Sequence, residues 1–121
     1  MPALLALEDG RLFYGRSFGD PNEIGGEVVF CTAMTGYQEI LSDPSYRGQI
    51  VVFTSPHIGN YGIHEGDQES TWPWAAGLIC RDLCETPSHR GSVETLRQYA
   101  KRYRLRGMTD VDTRALTLHL R

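Results

Sequence analysis

A chain of 121 residues and 13.6 kDa is long enough for one compact domain and too short for two. Its 40% hydrophobic, 10% aromatic and 22% charged residues exclude intrinsic disorder and collagen-like repeats. Twelve basic against fifteen acidic residues, net −3, lack the dense basic face that duplex nucleic acid or an anionic membrane rewards.

In chain order, the run 4–8 reads as a short strand. Asp9-Gly10 signals a tight hairpin with both central residues at positive φ. Leu12, Phe13, Tyr14 and Phe18 continue as the return strand. Gly19-Asp20-Pro21-Asn22 is a loop and Gly25-Gly26 a second break. Glu27-Val28-Val29-Phe30-Cys31-Thr32 is β-branched and apolar, the pattern of a buried strand. Tyr37, Ile40 and Leu41 are spaced for one helix face, which predicts a short helix over 35–42. Asp43-Pro44 stops it, because the residue before proline avoids the α region.

Gln49-Ile50-Val51-Val52-Phe53-Thr54 is the clearest strand, and its unbroken apolar run predicts cover on both faces. The run 57–70, rich in glycine and carboxylates, is long for a loop in a compact domain; such loops are usually functional or mobile. Residues 75–80, entered by Trp72-Pro73-Trp74, form a further strand. Ser92 is the expected N-cap of a helix over 93–104, with Val93, Leu96, Tyr99, Ala100 and Tyr103 as its buried stripe. Gly107-Met108-Thr109 is a short strand, and Asp112 caps a last helix that turns Ala115, Leu116 and Leu120 inward. This order predicts a mixed fold with helices covering one side of a sheet. The chain ends at or just after that helix without a polar tail, as a piece of a longer protein would.

No stretch approaches the ~18 apolar residues of a spanning helix. The start, Met1-Pro2-Ala3-Leu4-Leu5, lacks the basic residues and long apolar run of a secretion signal, so a cytoplasmic protein is expected. Charge is uneven: residues 1–80 hold three arginines and ten carboxylates, whereas 81–121 hold nine basic residues and five acids. Either the two ends attract within one domain or the basic end faces another chain.

Few residues carry chemistry. Cys31, Cys80 and Cys84 are odd in number, which argues against a disulfide framework. Cys80, Cys84 and His89 make a poor zinc set, which usually needs four ligands. No cysteine stands in a strand-to-helix elbow, so no catalytic nucleophile is expected. His57 ends a buried strand and reads as a loop tie rather than a base. Asp110 and Asp112 form a D-x-D pair, better explained by the cap. Glu39 and Asp43 share helical spacing, but like charges there repel. Gly59 and Gly62 match neither glycine-rich phosphate motif. Ser45, in the stiff turn after Asp43-Pro44, has no base beside it; its hydroxyl suits hydrogen bonding to a ligand from another domain, or a plain turn.

The run Met34-Thr35-Gly36-Tyr37-Gln38-Glu39-Ile40-Leu41, with Asp43-Pro44-Ser45-Tyr46 after it, closely resembles the small subunit of glutamine-hydrolysing carbamoyl-phosphate synthase. So does Pro56-His57-Ile58-Gly59-Asn60-Tyr61-Gly62. Leu7-Glu8-Asp9-Gly10, Gly77-Leu78-Ile79 with Arg81-Asp82-Leu83, and Asp110-Val111-Asp112-Thr113-Arg114 follow in the same order, so the resemblance covers essentially the whole chain.

The resemblance implies an α/β fold, the three-layer β/β/α swivelling-type N-terminal domain of that subunit, over residues 1–121. A glutaminase domain would follow it and hold the catalytic Cys, His and Glu, so this chain would bear no catalytic residue, metal or cofactor and would be inert alone. It would pack on the glutaminase domain and on a large synthetase subunit. That subunit uses ATP, Mg and bicarbonate to make carbamoyl phosphate for arginine and pyrimidine synthesis. The motif carries one contact over: Ser45, to the substrate glutamine. Cys31 departs from a position that is often polar, and the chain ends before the family's closing strand. A stand-alone binding module on the same fold is the competing reading.

Overall fold

A computed structural model describes residues 1–32, 37–54, 73–84 and 95–121. The expected mixed α/β class holds: these residues form one six-stranded sheet and three α-helices. The runs 57–70 and 85–94, with His57, His64, His89 and the expected cap Ser92, lie outside them.

The chain begins as a hairpin of β1 (Pro2–Ala6) and β2 (Leu12–Gly19), in register Leu4 to Tyr14 and Leu5 to Phe13. Its turn differs from the expected two-residue form. The Leu7 N–H donates to the Arg11 carbonyl and the Gly10 N–H to the Leu7 carbonyl, each at 2.9 Å. Gly10 alone takes a positive φ, +92°, and Asp9 does not. A three-residue loop with glycine in its last, left-handed place meets the same strand twist. Asp9 instead uses Oδ1 to accept the Arg11 N–H at 3.0 Å.

β3 (Glu27–Cys31), β4 (Gln49–Phe53), β5 (Gly77–Ile79) and β6 (Arg106–Thr109) run parallel. β6 is also antiparallel to β2, giving the order β1-β2-β6-β5-β4-β3. The last strand in sequence thus lies inside the sheet and joins the hairpin to the parallel block.

Two registered rows of side chains define the two faces. Val29, Val51, Leu78, Gly107 and Phe18 line up across five strands on one face. Gly107 is required in that row, since a Cβ there would sit 2.5 Å from the Phe18 ring. Tyr37 and Leu41 of α1 (Tyr37–Ser42) and Leu96, Tyr99 and Ala100 of α2 (Leu96–Arg102) cover this face. Val52, Ile79 and Met108 point the other way, against Phe13, Val111 and Leu116 of α3 (Thr113–Leu120). Helices therefore lie on both faces rather than one. The alternation within β4 explains this: Ile50, Val51, Val52 and Phe53 are all buried, and both faces need cover.

Helix ends follow local chemistry. α2 starts after Thr95, later than the expected start at 93. The Gln98 N–H donates to Thr95 Oγ1 at 3.1 Å while Gln98 Oε1 accepts the Thr95 N–H at 2.9 Å, a reciprocal cap. Asp112 caps α3 as expected, accepting the Ala115 N–H at 3.0 Å. Leu116 is fully buried, but Leu120, the last residue of α3, is 39% exposed and not inward.

Candidate functional site

Ser45 lies on the link between α1 and β4, in a single 3-10 turn over Pro44–Tyr46. Each neighbour has a part in holding it there. Asp43 leaves the helix in an extended conformation, and its Oδ1 accepts the Ser45 N–H at 2.9 Å. Pro44 needs no N–H partner at the first position and has its φ preset. The Tyr46 N–H donates to the Asp43 carbonyl at 3.0 Å and the Arg47 N–H to the Pro44 carbonyl at 3.1 Å. Tyr46 packs its ring against the α1–α2 core, pinning the turn from below. Gly48 ends the turn at φ +75°, a region that costs glycine little. Ser45 itself is exposed, and no hydrogen bond holds its hydroxyl among the described residues.

A second segment braces this turn. The Trp74 N–H donates to the Leu41 carbonyl at 2.7 Å, the Ala75 N–H to the same carbonyl at 3.2 Å, and the Gly48 N–H to the Trp74 carbonyl at 3.4 Å. Arg47 bridges to Ala75 through the backbone and lays its guanidinium 5.3 Å from the centre of the Trp74 ring. Sequence reasoning passed over Arg47 and treated Trp74 only as the entry to a strand. The contact spans a separation that no local pattern encodes.

The other candidates do not gather round Ser45. Glu39 is exposed on α1, and Asp43 is committed to the turn. Asp110 is exposed at φ +62°. Cys80 is fully buried, and desolvation pushes its thiol up to about 12, the opposite of an activated nucleophile. Cys31 and Cys84 are half-buried. Among the described residues no three His, Cys, Asp or Glu side chains group as metal ligands would. A cavity of about 180 Å³, lined in part by Arg16, Ser17, Arg97 and Asp110, does not include Ser45. No helix of the described residues is long and apolar enough to cross a membrane.

Comparison with known proteins decides the family. The model of the carbamoyl-phosphate synthase small chain, CPSase domain, matches residues 5–121. The chain belongs to the carbamoyl-phosphate synthase small chain family. It is 52% identical over 121 residues to the carbamoyl phosphate synthase small chain of Solidesulfovibrio magneticus, covering 100% of this chain and 32% of that one. The small chain of Nostoc sp. is 52% identical over 121 residues, covering 100% of this chain and 31% of its own length. That of Thioalkalivibrio sulfidiphilus is 56% identical over 120 residues, 99% and 32%. The chain thus spans about a third of the length of the small chains it matches. The matched region contains the whole Ser45 turn and its brace.

Proposed function

We propose that this chain is the N-terminal domain of the glutaminase subunit of a glutamine-hydrolysing carbamoyl-phosphate synthase, and that Ser45 contacts the substrate glutamine. The observation that carries the reading is the Ser45 turn. It presents an exposed hydroxyl with no partner among the described residues, on a backbone fixed by Asp43, Tyr46 and Gly48. A hydroxyl already held in place loses little freedom on meeting a substrate. Among the described residues no base is hydrogen-bonded to its hydroxyl, and the nearby Asp43 carboxylate is engaged by the Ser45 N–H, so a hydrogen-bonding role suits it better than nucleophilic attack.

In this reading ammonia is released from glutamine by a glutaminase domain that packs beside the turn. A large synthetase subunit then consumes it with bicarbonate and ATP. The present chain supplies shape and one contact, and it does not hydrolyse glutamine by itself. Family membership and the coverage of about a third of the small chain support that division of labour.

Replacing Ser45 by Ala in the complete enzyme tests the contact. Loss of one substrate hydrogen bond of ~1 kcal/mol or more lowers kcat/KM for glutamine by about fivefold or more. Synthesis driven by added ammonia, which bypasses glutamine, is expected to be spared. Unchanged glutamine kinetics would refute the contact.

A further inference from the structure

Arg47 and Trp74 form a clamp on the Ser45 turn. Six residues, 43–48, link α1 to β4, so the turn's backbone is anchored at both ends, yet Pro44, Ser45 and Arg47 are all exposed. What crosses the turn from outside is the segment at Trp74. Its backbone takes both Leu41, before the turn, and Gly48, after it, as hydrogen-bond partners. Its ring lies under the guanidinium of Arg47, 5.3 Å from the centroid, within range of a cation–π contact. The two partners are 27 positions apart, so the contact ties the Ser45 loop to the entrance of the next strand.

One further feature marks this contact as unusual. Among the described residues the buried indole Nε1 of Trp74 has no hydrogen-bond partner. A tryptophan N–H placed so costs free energy, and a phenylalanine would fill the place without that cost. A tryptophan there is explained if its larger, more electron-rich face is what matters, because indole is the best of the aromatic rings at holding a cation.

We infer that the Arg47–Trp74 pair is a positioning device for Ser45: it sets where the hydroxyl stands and so tunes the apparent affinity for glutamine. The inference rests on the Ser45 contact proposed above. Trp74 touches the turn and Arg47 belongs to it, so in this inference both act through Ser45.

The test uses the complete small chain assembled with its synthetase chain, with each glutamine-driven rate divided by the ammonia-driven rate of the same preparation to correct for assembly. The variants are Arg47→Ala, Arg47→Lys, Trp74→Leu, Trp74→Phe and Ser45→Ala, with the Arg47→Ala/Ser45→Ala double. Arg47→Ala and Trp74→Leu are expected to raise KM for glutamine about three- to tenfold while kcat stays within about twofold. Arg47→Lys, which keeps a cation, and Trp74→Phe, which keeps a poorer ring, recover part of that loss. The effect of Arg47→Ala disappears when Ser45 is already Ala, because the two act through one contact. Trp74→Leu removes part of a packed segment, but Arg47 is exposed and its replacement leaves the core intact.

The failures are separable. If Ser45→Ala changes nothing, the glutamine contact itself falls, and the positioning role falls with it. If Ser45→Ala raises KM but Arg47→Ala does not, the contact stands and the clamp is refuted. An Arg47→Ala effect that persists undiminished on the Ser45→Ala background also refutes it.

Discussion

Asp9 and His119 stand 110 residues apart in sequence, yet His119 Nε2 lies 2.7 Å from Asp9 Oδ2. The imidazole also meets the Phe13 ring edge-on, with centroids 6.1 Å apart. The Arg11 N–H and then His119 hold the Asp9 carboxyl below its ordinary value of 3.8. A carboxyl whose pKa is lower folded than unfolded adds stability above its unfolded pKa, and that stability is lost as pH falls through the folded value. Urea midpoints recorded between about pH 2 and 7 should therefore show Asp9→Asn less stable than the parent near neutrality, with the gap closing below about pH 4. His119→Ala should show a smaller gap, since the Arg11 N–H is the larger cause. A gap constant across that range contradicts the assignment. At this scale the sequence is legible where partners are near. Asp112 reads correctly as a cap because Ala115 is three residues on. The Thr95-to-Gln98 cap is equally local, but Ser92, three residues earlier, offers the same capping chemistry to a sequence reading. His119 gives no sign of Asp9 because nothing local connects them.

Among the elements, the hairpin shows both what a pattern can say and what it omits. Alternation in 12–18 marks β2, and it places Phe13 and Phe18 on opposite faces, as found. Gly15, mid-strand, has no meaning in that pattern. In the fold it is where β2 runs against the end of β6: a Cβ there would lie 2.5 Å from the Thr109 carbonyl and 2.8 Å from Val111. A glycine inside a strand often marks such a close backbone approach. Since a carbonyl cannot swing aside as a side-chain tip can, Gly15→Ala should destabilise by roughly 1–3 kcal/mol. That lowers Tm by about 4 °C for each kcal/mol in a domain of this size. Thermal unfolding followed by circular dichroism reads the shift, and an unchanged Tm would show that the hairpin and β6 can part without cost. β4 is the reverse case. Its apolar run states its burial on both faces with no knowledge of its neighbours, because a strand with no polar face has only one kind of environment.

For the molecule as a whole, strand order is what the sequence hides. β6 lies between β2 and β5 because pairing is decided by the entire sheet, and nothing within Arg106–Thr109 announces two partners far upstream. The same holds for the candidate site. The turn at Ser45 is visible in the D-P-S-Y run, while its brace from Trp74 appears only once β4 and the segment before β5 are side by side. In the reading proposed above this domain has a supporting part: Ser45 would present its hydroxyl to chemistry housed in the rest of a small chain, of which the present chain spans about a third. Ammonia release from glutamine, measured on residues 1–121 alone and on the same residues joined to the rest of the Solidesulfovibrio magneticus small chain, addresses that directly. No release above the blank from the first and steady hydrolysis by the second is the expected result. Ammonia from residues 1–121 alone, or none from the joined chain once it is shown to be folded, would contradict the account.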